Sequence, residues 1–252
     1  MELHMKQSET RTARKGLLYY LQWAAGFIFA LALIAAALIT SFEIAMYADF
    51  DVYKKEYEKY DVLEDLDMTM EDTMHVTREM MAYLRGDRDE LSVITTVEGK
   101  EQDFFNEQDR FHMGEVRDLF IGGLNIRTGA CAAAVLCLVF LLAVRADIRR
   151  ILPKSYHRAL ILCGAALVLL GLACVIDFNA VFVQFHHIFF DNDLWLFDPA
   201  EDYMIRMLPE GLFYDMVMRI GGLFAGMLIL LLIISLAPKF LSRRRMRKQK
   251  TD

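Results

Sequence analysis

Apolar residues gather in four blocks along this chain, divided by stretches dense in charge. Gly16 to Phe42 contains no Asp, Glu, Lys or Arg, and the same holds for 128–144, 159–176 and 221–237. A bilayer core about 30 Å thick takes about 20 helical residues to cross. The first block suffices outright, and the others reach that length once their flanks are counted. A soluble protein would spread its apolar residues through amphipathic segments, so four such blocks in 252 residues predict four membrane-spanning helices. Alanine-rich sequence runs on to Ile39 without a polar cleavage region, so the first block reads as a retained anchor rather than a removed signal.

The polar stretches carry their own periodicities. Thr69 with Asp72 has the spacing of a capping box, and Met70, Met74, Thr77, Met81 and Leu84 form one helical stripe ending before Gly86. His75 falls off that stripe and is expected in solvent. Leu91 to Val97 reads as a short strand without an evident partner. A further helix is predicted from Asn106, a good N-cap, with Glu107 and Asp109 at the positive end of its dipole. On it His112 shares a face with Val116, Leu119 and Gly123. The pair Gly122-Gly123 predicts a hinge, with 106–121 lying along the surface before the chain enters the second span. Pro209-Glu210 reads as the first turn of the helix leading to the fourth span.

Charge adds orientation. Lys6, Arg11, Arg14 and Lys15 precede the first block, Arg145, Arg149, Arg150, Lys154 and Arg158 separate the second from the third, and SRRRMRKQK follows the fourth. The two remaining connections are acid-rich, so the positive-inside rule places both termini and the middle loop in the cytoplasm. The expected fold class is an all-α membrane protein: four transmembrane helices with a mostly helical extracytoplasmic cap. Its segments are a cytoplasmic 1–15, a first span at 16–42, the cap at 43–121, a second span at 122–144, a cytoplasmic loop at 145–158, a third span at 159–178, an outer motif loop at 179–216, a fourth span at 217–238 and a basic tail at 239–252. The net charge of −6 therefore sums two opposed populations, and the basic one suits anionic lipid heads rather than nucleic acid. All four cysteines, Cys131, Cys137, Cys163 and Cys174, fall within spans two and three, which argues for packing residues rather than disulfides or zinc ligands.

Little chemistry is on offer. No GxSxG elbow, HExxH, P-loop or GxGxxG occurs, and the outer serines, Ser41 and Ser92, have no nucleophile setting. What remains is histidine among carboxylates, a set suited to proton transfer. It concentrates in FHMGEVRDLF, which carries His112 and Glu115, and in FHHIFFDNDLWLFDP, which carries His186, His187, Asp191, Asp193 and Trp195. Asp191 and Asp193 open like a calcium loop, but Trp195 occupies the third ligand position and no glycine follows. Neighbouring histidines diverge on a helix or a strand, so one of His186 and His187 serves a given site. Arg127 is expected at the outer mouth of span two, snorkelling or meeting a phosphate or carbonyl. Trp195 suits the interfacial aromatic belt.

These two motifs, with LPEGLFYD following and four spans around them, resemble the bacterial integral membrane family of the lipoprotein intramolecular transacylase, Lit. Glu115 stands where aspartate is expected. The resemblance implies an enzyme that moves the sn-2 acyl chain of a diacylglyceryl lipoprotein to the α-amino group of its N-terminal cysteine, giving the lyso-form. It implies His112 and His186 as the catalytic pair, with no metal and no cofactor, and diacylated bacterial lipoproteins and membrane lipid as partners. Glu115, Arg127, Asp191, Asp193 and Trp195 are supporting candidates. The substrate amine would be the nucleophile, so no acyl-enzyme is needed. His186 is assigned as base and His112 as donor, and the reverse is equally allowed. Two rival readings are a hydrolase holding zinc on His112, His186 or His187 and an aspartate, and a non-enzymatic sensor or scaffold.

Overall fold

The computed structural model describes the backbone of residues 2–248 and the side chains of residues 16–236. The basic side chains expected to flank the first and fourth spans lie outside the described ones. Along the chain come α1 (Glu2–Tyr47), α2 (Asp51–Lys59), α3 (Val62–Leu66), α4 (Met70–Arg85), β1 (Ile94–Val97), β2 (Lys100–Asp103), α5 (Glu107–Ala143), α6 (Ile148–Ile176), α7 (Phe178–Phe189), α8 (Tyr203–Met207) and α9 (Glu210–Lys248). Within α1, α5, α6 and α9, among the described residues, lie four helical stretches long and apolar enough to cross a membrane: Gly16–Tyr47, Glu107–Ala143, Ile148–Ile176 and Glu210–Leu236. The apolar, uncharged part of α5 starts at Thr128, whereas its first turns carry Glu107, Asp109, Arg110, Glu115, Arg117 and Asp118. Six charges in so short a run keep those turns out of hydrocarbon.

The helices pack as two units. One comprises α1 up to Leu38, the chain from Ile126 to Val168, and α9 from Phe224 onward. Its core is Ala30, Ile34, Ala37, Tyr156, Ala159, Phe224 and Leu228. Small residues set the helix spacing: a Cβ on Gly26 would stand 2.8 Å from Ser155 Oγ. The Tyr156 hydroxyl donates to the Leu228 carbonyl at 2.7 Å, so the buried phenol keeps a partner in apolar surroundings. Facing outward are Leu136, Ile161 and Leu162, all exposed, the surface a lipid solvent favours.

The second unit, Ile39–Asn125 with Leu169–Leu223, is a helical cap around one core. Tyr53, Tyr57, Leu66, Met74, Met81, Phe104 and Met207 are buried within it. The α4 helix starts as expected: Thr69 Oγ1 accepts from the Asp72 amide at 3.1 Å. It also stops as expected, Gly86 taking φ 87° while the Asp87 amide donates to Ala82 O at 2.9 Å. Its buried face is wider than the predicted stripe, adding Thr73, Val76, Met80 and Tyr83, and His75 is exposed. The partner the sequence left open for β1 is KEQD, paired antiparallel through a two-residue turn at Glu98 and Gly99. Both turn residues have positive φ, 52° and 72°, the requirement of a type I′ hairpin.

Three expectations need correction. The glycine pair does not break α5, which stays helical from Glu107 to Ala143. A Cβ on Gly123 would meet Ile39 at ordinary van der Waals distance, 3.8 Å, and one on Gly122 would meet nothing within 4 Å. The stretch 145–158 is not all loop, because α6 begins at Ile148. Nor is 179–216 all loop: Asp177 ends the third apolar run and caps a new helix, its Oδ1 accepting from the Ala180 amide at 2.9 Å. The α9 helix starts at Glu210 as predicted, with the Pro209 carbonyl accepting from the Leu212 amide at 2.9 Å.

Candidate active site

Two helices of the cap unit bring the histidines together. The α5 helix opens with a reciprocal cap in which the Asn106 amide donates to Asp109 Oδ2 and the Asp109 amide to Asn106 Oδ1, each at 2.9 Å. That fixes the helix one turn before His112. On α7, His186 is the one buried residue. Its ring and that of His112 stack with centroids 5.8 Å apart and planes 26° from parallel. Only 6% of His112 and 7% of His186 is exposed.

Aromatic rings enclose the pair. Phe190 lies 4.9 Å from His112 and 5.4 Å from His186. Phe197 packs on His112 at 5.4 Å, and Trp195 and Phe182 on His186 at 4.7 and 4.3 Å. Burial among these rings lowers the His112 pKa to about 4, with the neighbouring His186 adding to the effect. Burial also lowers His186, against an opposing hydrogen bond to Phe182 and with a small further push from His187. Both are therefore neutral imidazoles near pH 7. His186 Nδ1 sits 2.7 Å from the Phe182 carbonyl. A carbonyl can only accept, so Nδ1 carries the proton and Nε2 the lone pair.

The supporting candidates divide. Glu115 belongs to the site: its Oε2 faces His112 Nδ1 at 3.9 Å. Trp195 belongs as a wall, with its indole N–H buried and without an acceptor. Asp191 and Asp193 are exposed on the turn after α7. Arg127 lies about four turns beyond His112 on α5 and belongs to the other unit. His187 is exposed and packs edge-on against Trp195 at 5.2 Å. Sequence reasoning passed over Asn192 and Gln108. Asn192 Nδ2 donates to Glu115 Oε1 at 2.8 Å. Gln108 Nε2 donates to the carbonyls of Leu194 and Leu196 at 3.0 and 3.1 Å, tying the loop after α7 to the first turn of α5. Gln108 precedes His112 by one helical turn, and that shared face was the available signal. Among the described residues, no three His, Cys, Asp or Glu side chains form a group that could hold a metal ion.

The backbone has solved counterparts. The in meso structure of the membrane-integral lipoprotein intramolecular transacylase Lit from Bacillus cereus is 22% identical, with a TM-score of 0.72, covering 90% of this chain and 99% of that one. Structures of the same Bacillus cereus protein with one histidine changed to arginine or to alanine give 21% and 20% identity, each with a TM-score of 0.70. They cover 93% and 92% of this chain and 99% of theirs. At such identity the likeness establishes a shared fold. A comparison with curated proteins gives no match. The sequence model of the lipoprotein intramolecular transacylase Lit matches residues 27–213, spanning both histidine motifs, and by that match the chain is a member of the Lit family of membrane transacylases.

Proposed function

We propose that this protein transfers the sn-2 acyl chain of a diacylglyceryl lipoprotein to the α-amino group of its N-terminal cysteine, at the outer leaflet, with both termini cytoplasmic. The observation that carries the reading is the pair of buried, stacked imidazoles from α5 and α7. The basic clusters around the apolar blocks support the orientation.

The amine nitrogen attacks the ester carbonyl carbon; a C–N bond forms and the bond to the glycerol oxygen breaks. His186 Nε2, with its lone pair free, suits removal of the amine proton. His112, having first taken a proton from the substrate ammonium, returns it to the departing glycerol oxygen, and His186 sheds its own to solvent. The tetrahedral oxyanion needs donors in a dry site, and the unpartnered indole N–H of Trp195 is one candidate. Nucleophile and ester share one molecule, so the enzyme's main task is orientation, which can lower a barrier by about 7–11 kcal/mol in favourable cases.

Intramolecular transfer leaves the mass of the lipopeptide unchanged. Incubating purified protein with a diacylglyceryl lipopeptide is therefore expected to give an isomer of equal mass. Tandem mass spectrometry should place one acyl chain on nitrogen, and that chain should resist mild alkali. Loss of an acyl mass would show a hydrolase and overturn the reading.

The pH profile offers a second check. A base whose pKa is lowered stops working only as pH falls through that lowered value. The break in log(kcat/KM) due to the histidines is expected below pH 6.5, well apart from the break of the substrate amine near pH 8. A histidine break at or above 6.5 would contradict burial as the controlling influence.

A further inference from the structure

Two polar atoms beside the catalytic pair are buried without hydrogen-bond partners, and they face one another. They are His112 Nδ1 and Glu115 Oε2, 3.9 Å apart. That separation is too long for a hydrogen bond, and a charge-assisted N–H···O contact would need about 1 Å of closure. A buried polar group left unsatisfied is uncommon, and two in register mark a contact waiting to form. The other carboxylate oxygen of Glu115 is already held, accepting from Asn192 Nδ2 at 2.8 Å. Asn192 is fixed in turn, because its Oδ1 accepts from the Leu194 amide at 2.9 Å in a turn of the Asx type. Gln108 secures the same loop to α5 through the Leu194 and Leu196 carbonyls. The arrangement thus runs from α5 to the loop and back to His112.

We infer that Asn192 is a positioning residue: it aims Glu115 at His112 Nδ1, so that His112 takes the first substrate proton and holds it for the departing glycerol oxygen. This rests on the acyl-transfer function proposed above. His186 donates its Nδ1 proton to Phe182 and, among the described residues, no carboxylate pairs with it, which leaves its Nε2 as an acceptor. His112 has a carboxylate three residues along its own helix. The substrate arrives as an ammonium, and its first proton passes to His112 Nε2. Closure of Glu115 onto Nδ1–H stabilises the resulting imidazolium. The freed amine forms its bond to the carbonyl carbon while His186 Nε2 takes the second nitrogen proton. As the C–O bond breaks, the glycerol oxygen takes the proton from His112 Nε2. His186 then releases its proton to solvent, so an ammonium and an ester become an amide, an alcohol and one proton. The titratable groups facing His112 are Glu115 on α5 and His186 on α7. Among the described residues the loop adds to these the uncharged rings of Phe190 and Phe197.

The test uses the full-length enzyme and a diacylglyceryl lipopeptide. Asn192→Asp keeps the acceptor for the Leu194 amide but removes the donor to Glu115. It is expected to lower kcat about 10- to 100-fold while KM changes less than about 3-fold. Asn192→Ala is expected to add little to Glu115→Gln, because the carboxylate it serves is then gone. In wild type, kcat/KM is expected to be flat between the histidine break and the amine break. The productive proton count there is that of neutral enzyme with substrate ammonium. Wild-type kcat in Asn192→Asp, independent effects of the two other substitutions, or a unit slope between the breaks would each overturn the inference. An active wild type with an unaffected Asn192→Asp variant sinks this inference alone, whereas an inactive wild type sinks the proposed function and this inference with it.

Discussion

Replacing His186 with alanine is expected to lower kcat for acyl transfer by about 10²- to 10⁴-fold, the usual worth of a positioned acid or base. That corresponds to about 3–5 kcal/mol of transition-state stabilisation. The ring has no other covalent or charged task. Its Nδ1 hydrogen bond goes to Phe182 within the same helix, and it packs among neighbouring rings. The variant should therefore keep its fold, and a thermal unfolding midpoint within a few degrees of wild type would establish that. His112→Ala is expected to fall in the same range. The double variant should be little worse than either single one, because groups acting on one proton inventory are not additive. Tandem mass spectrometry of the lipopeptide reads all three. A folded His186→Ala protein that converts substrate at the wild-type rate would leave the buried pair without a catalytic role and favour the scaffold reading.

Adding a side chain at Gly211 should have the largest effect on stability. Gly211 lies in the first turn of α9, and a Cβ there would overlap the Tyr60 ring. Tyr60 cannot simply swing aside, because its hydroxyl donates to Asp215 Oδ2 at 2.7 Å, where Lys59 also binds. Gly211→Val would force the ring off and break the docking of the end of α2 on α9. Overpacking of this kind costs about 1–3 kcal/mol. Purified Gly211→Val protein is expected to melt several degrees below wild type in the same detergent. Gly222 is the control: nothing lies within 4 Å of where its Cβ would stand, and it is inside a helix. Gly222→Ala should be neutral or slightly stabilising. Equal melting of the two variants would show that Tyr60 yields freely.

Much of the site was visible as residues but not as a site. FHMGEVRDLF and FHHIFFDNDLWLFDP displayed the two histidines and Glu115 openly, since a titratable group at the edge of an apolar run stands out by contrast. Asn192 carried no such contrast. It is a polar residue in a polar turn, and its link to the histidines runs through Glu115, which packing delivers from α5. Asp191 and Asp193 were more conspicuous in the sequence and are the exposed ones. KEQD lacked every strand signal, because an edge strand with little buried surface needs no alternation; only the Glu98-Gly99 turn betrayed it. The glycine pair misled in the other direction, since an isolated glycine pair is tolerated within a long helix and does not by itself make a hinge.

The sequence by itself determined the four apolar helices, the caps at Thr69 and Asn106, the stop at Gly86 and the start at Glu210. Each depends on groups within about one helical turn of one another, and on transfer energies that a run of side chains carries wherever it goes. Tertiary structure alone decided that His112 stacks on His186, that Phe190, Phe197 and Trp195 enclose them, and that Glu115 is held by a loop from beyond α7. Those contacts join segments far apart in the chain, and their geometry is set by how whole helices pack, which no local pattern encodes.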